Sequence, residues 1–308
     1  MRKFLKIFLA VVILLAAFAG WLFGYDEPRV RAVKADSGCP GCELPQASLW
    51  WVEMIGANFK GADLSGANLW WSDLQKADLR DANLAGASLW WADLREAALD
   101  GANLESTSLG RADLRGALGA GVKFNLADMS GTNLSGGSFP GAGFRRAHML
   151  QAVILKTNLQ GADFTQANLH AVNMTGTDLS GATLIEASLT GTNMTGVNLA
   201  GANLQGAHLS DAKLIGVNLR GANLKEASLP VADLTDADLS GANLQGANMT
   251  WSNLTSANLQ DADLTGANLG TADLTGADLT NAKMSGVVLD GAKLCKTKLP
   301  TGTDNSGC

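Results

Sequence analysis

The sequence predicts an all-β solenoid of stacked square coils preceded by one apolar N-terminal helix, and three observations predict it. Every fifth position from Leu44 to Leu299 carries a large apolar side chain. Of these (299 − 44)/5 + 1 = 52 slots, Leu fills 38, Met seven, Phe five and Ile one, and Gly119 is the single gap. The residue two places earlier is small, Ala in 36 of the 52 slots. Finally, Leu49-Trp50-Trp51 recurs as Leu69-Trp70-Trp71 and Leu89-Trp90-Trp91, a spacing of 20 residues. A period of five matches neither a strand nor a helix. It requires a chain that turns a corner every five residues, and the spacing of 20 indicates that four corners close one circuit. A register unbroken over this length marks a repeat architecture with one continuous core.

The large apolar residue points into a narrow shaft, which leaves room for only a small side chain beside it. Asn or Asp directly before it and Gly two places after it suit tight corners. Stacked coils pair backbone at about 4.8 Å. Units such as Ala62-Asp63-Leu64-Ser65-Gly66 and Ala242-Asn243-Leu244-Gln245-Gly246 resemble the pentapeptide-repeat family. The resemblance implies a right-handed quadrilateral β-helix. Fifty-two slots at four per circuit make about 13 coils, a rod on the order of 60 Å long.

The elements follow in chain order. Residues 1–24 combine Arg2, Lys3 and Lys6 with an uncharged apolar run from Ile7 to Gly24, the pattern of a signal-anchor helix. The basic residues stay in the cytoplasm by the positive-inside rule, so the repeats are expected on the far side of the membrane. The family resemblance suggests a bacterium, hence a single-pass inner-membrane protein facing the periplasm. The alternative is release to the periplasm by cleavage near Ala19. Residues 25–38 form a charged linker, 39–301 the repeat solenoid and 302–308 a short polar tail. Between Leu118 and Leu155 the consensus weakens, which predicts either a slightly bulged region that still stacks or a second docking surface. Leu118, Leu126, Arg145, Arg146, His148 and Leu150 are the candidates for that surface. In the last coil, Lys283, Lys293, Lys296 and Lys298 read as edge protection, with Pro300 stopping the pairing.

Residues 1–24 hold three of the 23 basic residues and none of the 29 acidic ones. The remainder therefore carries 20 basic against 29 acidic residues, a net −9 that does not favour nucleic acid. An oxidising compartment favours disulfides for the four cysteines. Cys39 and Cys42 occupy inward positions and can cap the first coil; Cys308 can tie the tail to the last coil through Cys295. A redox role for Cys-x-x-Cys lacks its βα setting, and Glu43 stands where haem attachment needs His.

Catalysis needs groups converging in a cleft, which flat faces do not offer, so no enzyme activity, cofactor or metal is expected. Glu53, Asp73, Asp93 and Asp113 recur at 20 and form a ladder of like charges, costly unless the carboxylates bond corner amides. His148, His170 and His208 are expected to be solvated.

The feature that points to function is the tryptophan ladder: Trp50, Trp51, Trp70, Trp71, Trp90 and Trp91, two outward positions on three successive coils. So much apolar surface is unusual on a soluble monomer, and it lies nearest the membrane. It predicts a non-catalytic scaffold that docks an integral membrane protein complex. Self-stacking of the rings is the structural alternative. Stacking of envelope glycans is another functional one. The family resemblance implies a further alternative, DNA mimicry against type II topoisomerases; the net −9 fits it loosely, and the targeting segment puts the rod on the wrong side of the membrane for it. The sequence leaves the oligomeric state open.

Overall fold

The computed structural model describes residues 38–308; the helix expected over 1–24 and the linker up to residue 37 lie outside the described residues. No helix among the described residues is long and apolar enough to cross a membrane. From Gly38 to Lys298 the backbone repeats one pattern of bridge and turn every five residues, and each bridge is parallel and joins residues 20 apart. Four columns of bridges result. They begin at Gly38↔Asn58, Glu43↔Asp63, Ser48↔Asn68 and Glu53↔Asp73.

Each five-residue unit satisfies its own backbone, as Ala62 to Asn68 illustrate. Leu64 N donates to Asn83 O on the next circuit at 2.7 Å, and Gly66 N to Ala85 O at 2.9 Å. Ala67 N donates to Leu64 O across the corner at 3.0 Å, and Asn68 N to Ala47 O on the preceding circuit at 2.9 Å. The remaining amide, Ser65 N, has no backbone acceptor and donates to Asp63 Oδ1 at 3.0 Å. Asp or Asn thus recurs before the inward residue because its carbonyl or carboxylate takes the amide that the ladder leaves over. The Asp73 column obeys this rule, with Asp73, Asp93 and Asp113 accepting from Gln75 N, Arg95 N and Arg115 N, each at 3.1 Å. Arg95 and Arg115 also fork onto Asp93 and Asp113, which offsets the like-charge repulsion.

The second corner residue is always left-handed. Gly66 has φ 63°, and non-glycine residues share the conformation, among them Lys76, Glu96 and Leu126. For an L-residue this costs about 1–2 kcal/mol, so coil-to-coil packing must supply it at every such corner. The inward Leu and Ala residues are almost entirely buried and form one continuous core. Each buried Leu contributes about 1.5–3 kcal/mol. Where Thr or Ser replaces Ala, its hydroxyl is satisfied by backbone, as Thr107 Oγ1 donating to Leu104 O at 2.7 Å.

The weakened stretch does not bulge. Leu118↔Ser138, Lys123↔Gly143, Asp128↔His148 and Asn133↔Val153 continue the columns without interruption. Gly119 and Gly137 compensate for large neighbours: a Cβ on either would lie 2.8 Å and 2.5 Å from the Phe139 ring. Phe139 leans into the empty slot, edge-on to Phe124, which begins a stack with Phe144 and Phe164 at 5.1 and 4.5 Å.

Both ends are closed. Cys39 is bonded to Cys42 and Cys295 to Cys308, with Cα atoms 5.4 and 4.6 Å apart, and the first pair packs against the core. At the far end Pro300 does not stop the pairing as expected. It sits with Thr301 in a tight turn, where no amide is required of it. Strand β1 (Thr297–Leu299) therefore runs antiparallel to β2 (Gly302–Asp304), laying the tail along the exposed edge. Lys283, Lys293 and Lys298 reach back to Asp263, Asp273 and Asp278 at 3.1, 3.2 and 2.9 Å.

Candidate functional site

The six tryptophans occupy one corner of three successive circuits. Trp50, Trp70 and Trp90 take its first position and Trp51, Trp71 and Trp91 its second, and the structure brings all but Trp50 into ring contact with a neighbouring Trp. Trp51 and Trp71 lie 5.8 Å apart and tilted; Trp71 and Trp91 lie 5.1 Å apart and stacked at 11°. In the parallel column Trp70 and Trp90 are 5.8 Å apart, and Trp90 meets Trp91 edge-on at 6.4 Å. The backbone beneath is regular, with Trp51 N donating to Trp70 O and Trp71 N to Trp90 O.

Two residues that sequence reasoning missed finish the ladder. The Arg111 guanidinium lies 5.0 Å from the Trp91 centroid and covers the last ring of one column. Gly110 seats the other: a Cβ there would fall 1.9 Å from Trp90 Nε1, so the indole lies directly over a backbone without a side chain. The signal was present, since Gly110 and Arg111 stand 20 residues after Trp90 and Trp91. Also missed was that Trp51, Trp71 and Trp91 take the left-handed position, with φ of 60°, 58° and 59°. Gly is the common occupant there, and a bulky residue is an outlier.

Stacking does not bury the ladder. Trp51 remains 51% exposed, Trp70 41%, Trp90 38% and Trp91 37%, while Trp50 and Trp71 are half-buried. Trp251, on the same corner further along, is also exposed.

The second candidate surface divides. Leu126, Arg145, Arg146, His148 and Leu150 surround one column, with Arg145 Nε donating to Asp163 at 2.5 Å and Arg146 Nε to Gln166 at 2.8 Å. Leu118 belongs to the column two corners away, so it does not share their face. The imidazoles of His148, His170 and His208 are exposed. Among the described residues no group of His, Cys, Asp and Glu is placed to hold a metal ion.

Comparison with known proteins gives one family. The model described as pentapeptide repeats matches in eight copies, at residues 41–70, 62–99, 97–136, 127–166, 162–201, 192–229, 232–270 and 272–299. No curated protein matches the chain. Among solved structures, the chain is similar to HetL, a pentapeptide repeat protein involved in heterocyst differentiation regulation from the cyanobacterium Nostoc. Identity is 27%, with 89% of this chain and 96% of that one covered and a TM-score of 0.36. It is similar to QnrB1, a plasmid-mediated fluoroquinolone resistance protein, at 22% identity over 64% of this chain and 90% of that one, TM-score 0.41. A pentapeptide repeat protein from the Arabidopsis thaliana thylakoid lumen matches at 31% identity over 32% of this chain and 65% of that one, TM-score 0.26.

Proposed function

The chain belongs to the pentapeptide-repeat family, and from that premise we propose that it is a non-catalytic scaffold that docks an integral membrane protein complex through its Trp ladder. In this reading residues 1–24 tether it to the inner membrane, and about thirteen right-handed coils extend into the periplasm. The observation that carries the docking role is the exposure of Trp51, Trp70, Trp90 and Trp91 after their rings have already stacked. Stability alone accounts for the contacts between circuits, at about 0.5–1.5 kcal/mol per aromatic pair. It gives no reason to leave the outer flanks of four indoles in solvent, an apolar patch of a kind that commonly marks an interaction surface.

The ring geometry favours a protein partner over a glycan. A sugar stacks on a free aromatic face, whereas Trp71 and Trp91 turn their faces to each other and Arg111 covers the next. What they offer outward is ring edge and indole flank, the surface that aromatic anchors bury in protein interfaces. DNA mimicry is disfavoured because Arg80, Arg95 and Arg115 neutralise neighbouring carboxylates.

The test is a pull-down from gently solubilised native membranes. It compares the wild type with a variant carrying Ser at all six ladder positions, once circular dichroism shows that both are folded. A membrane complex retained by the wild type and lost from the variant supports docking. Equal recovery from both, or none from either, refutes it.

A further inference from the structure

The side that bears the ladder differs from the other three along the whole rod. It comprises the column from Ser48 through His148 to Val288 and the corner that follows it, from Trp50-Trp51 to Asp290-Gly291. These are three of the twelve outward positions on each circuit, yet they hold eight of the eleven large apolar residues exposed among the described residues. The eight are the four exposed ladder tryptophans with Leu150, Val231, Trp251 and Val288, which are 40%, 56%, 68% and 41% exposed. Formal charge is distributed the opposite way. This side carries four charged residues, Arg111, Asp128, Asp211 and Asp290. The other three sides, each a column with the corner that follows it, carry 15, 11 and 12.

The apolar residues form a line rather than a cluster. Trp51 and Trp251 stand (251 − 51)/20 = 10 circuits apart, about 48 Å at the strand spacing. A globular partner covers a compact patch, whereas a plane meets a straight edge at every point. Between the apolar residues the corner carries Ser130-Gly131 and Thr190-Gly191, so no long side chain there lifts the edge off a flat surface. Trp is suited to such a plane, since its apolar ring and its N–H donor are both satisfied where headgroups meet water. The tethered reading supplies the plane. Residues 25–38 join the membrane segment to the first circuit, and a linker of this length reaches at most about 50 Å. The side of the rod therefore stays within reach of the bilayer that holds its N-terminus.

We infer that the rod runs out from its tether along the periplasmic surface of the membrane, with this side turned to the bilayer. Beyond the ladder, Leu150, Val231, Trp251 and Val288 rest in the lipid headgroup interface. The ladder itself is then held at the level where an integral membrane protein presents its periplasmic surface. The inference rests on the tethered docking reading and adds to it a second partner, the lipid bilayer, for the part of the rod that the ladder does not cover. An exposed apolar stretch of this kind is a mark of protein or membrane contact, and its length and straightness select the membrane.

The test compares two opposite corners of the full chain in nanodiscs of phosphatidylethanolamine and phosphatidylglycerol. Leu150→Cys and Thr250→Cys place a single thiol on this side; Gln160→Cys and Gln260→Cys place one on the opposite corner, half a circuit later. The native cysteines are paired, so an environment-sensitive fluorophore labels the added thiol alone. Lipids spin-labelled near the headgroup are expected to quench the fluorophore at 150 and 250, where its emission is also blue-shifted, and to leave it unchanged at 160 and 260. Equal quenching on both corners, or none at 150 and 250, would overturn the inference. A chain that does not co-purify with the discs would refute the tether and this inference with it. The docking reading fails separately: no quenching at 150 and 250 from a chain whose ladder still captures a membrane complex refutes the orientation alone, and quenching without capture refutes docking alone.

Discussion

Replacing Gly110 by alanine tests whether the ladder is a coupled unit. The added methyl would lie 1.9 Å from Trp90 Nε1 and 2.5 Å from Trp90 Cδ1. The backbone there is held, because Trp91 N on the preceding circuit donates to Gly110 O. The indole of Trp90 must therefore swing away, and it takes with it the 5.8 Å contact to Trp70 and the 6.4 Å contact to Trp91. Two aromatic contacts at about 0.5–1.5 kcal/mol each amount to about 1–3 kcal/mol. Gly110 is not in the left-handed region, so alanine recovers about 0.4–1 kcal/mol through the unfolded chain. The net loss is about 0–2.6 kcal/mol, with a middle value of about 1.3. It falls on the first circuits, since a solenoid couples only neighbouring repeats. Near-ultraviolet circular dichroism should lose the signal of coupled indoles, and the Trp fluorescence melt should fall by a few degrees. An unchanged dichroism spectrum with a superimposable melt would show that Trp90 does not rest on Gly110 and would refute the reasoning.

Three further outcomes follow from the geometry. Gly119→Leu restores the consensus yet should destabilise by about 1–3 kcal/mol through overpacking against Phe139 and Val122, read as a lower denaturant midpoint. Acid should weaken the fold in a defined window. The Thr280 hydroxyl, with Lys298 and Gln260, holds the Asp278 carboxyl well below the usual carboxylate range, and Thr265, Gln245 and Lys283 do the same for Asp263. A lowered folded-state value means that this stability is complete above about pH 5 and drains away below about pH 4, where the unfolded carboxylates protonate; thermal melts across pH 2–7 check it, and a melting point flat to pH 2 would contradict it. Reducing Cys295–Cys308 frees a short loop and removes about 3 kcal/mol of local stabilisation. Hydrogen exchange should then quicken in β1 and β2 while residues 160–240 stay protected.

Much of the fold was legible in the sequence because the repeat is both a chemical and a geometric period. Leu64 and Ala62 are inward for the same reason that Leu244 and Ala242 are, and 20-residue recurrence of Trp50-Trp51 revealed which residues share a corner. What escaped the reading depends on contacts between circuits. Gly119 reads as a missing core residue until Phe139 of the next circuit is seen to fill its place. Pro300 reads as a terminator, but a turn position makes no demand on its nitrogen. Gly110 and Arg111 lie outside the tryptophan pattern, so a search for aromatic residues passes over the two that complete it. Leu118 was grouped with His148 by proximity in sequence, while the circuit carries them to different faces.

The left-handed corner has a consequence for how such a surface can change over time. The core is specified by the small and the large inward residue, and the amide ledger by Asp or Asn; the two corner residues are bound by neither. Lys76, Glu96, Leu126, Trp91 and Gly66 all close the same turn. The outside of the rod is therefore a grid whose cells can be rewritten one at a time, and whose coordinates are simple residue numbers. Moving a recognition patch by 20 residues shifts it one step along the rod with its presentation intact; moving it by five turns it to the next face. Duplication of a single circuit would lengthen the distance between two patches by one step without disturbing either. A partner fitted to such a grid reads position as much as chemistry, and selection can adjust the two separately.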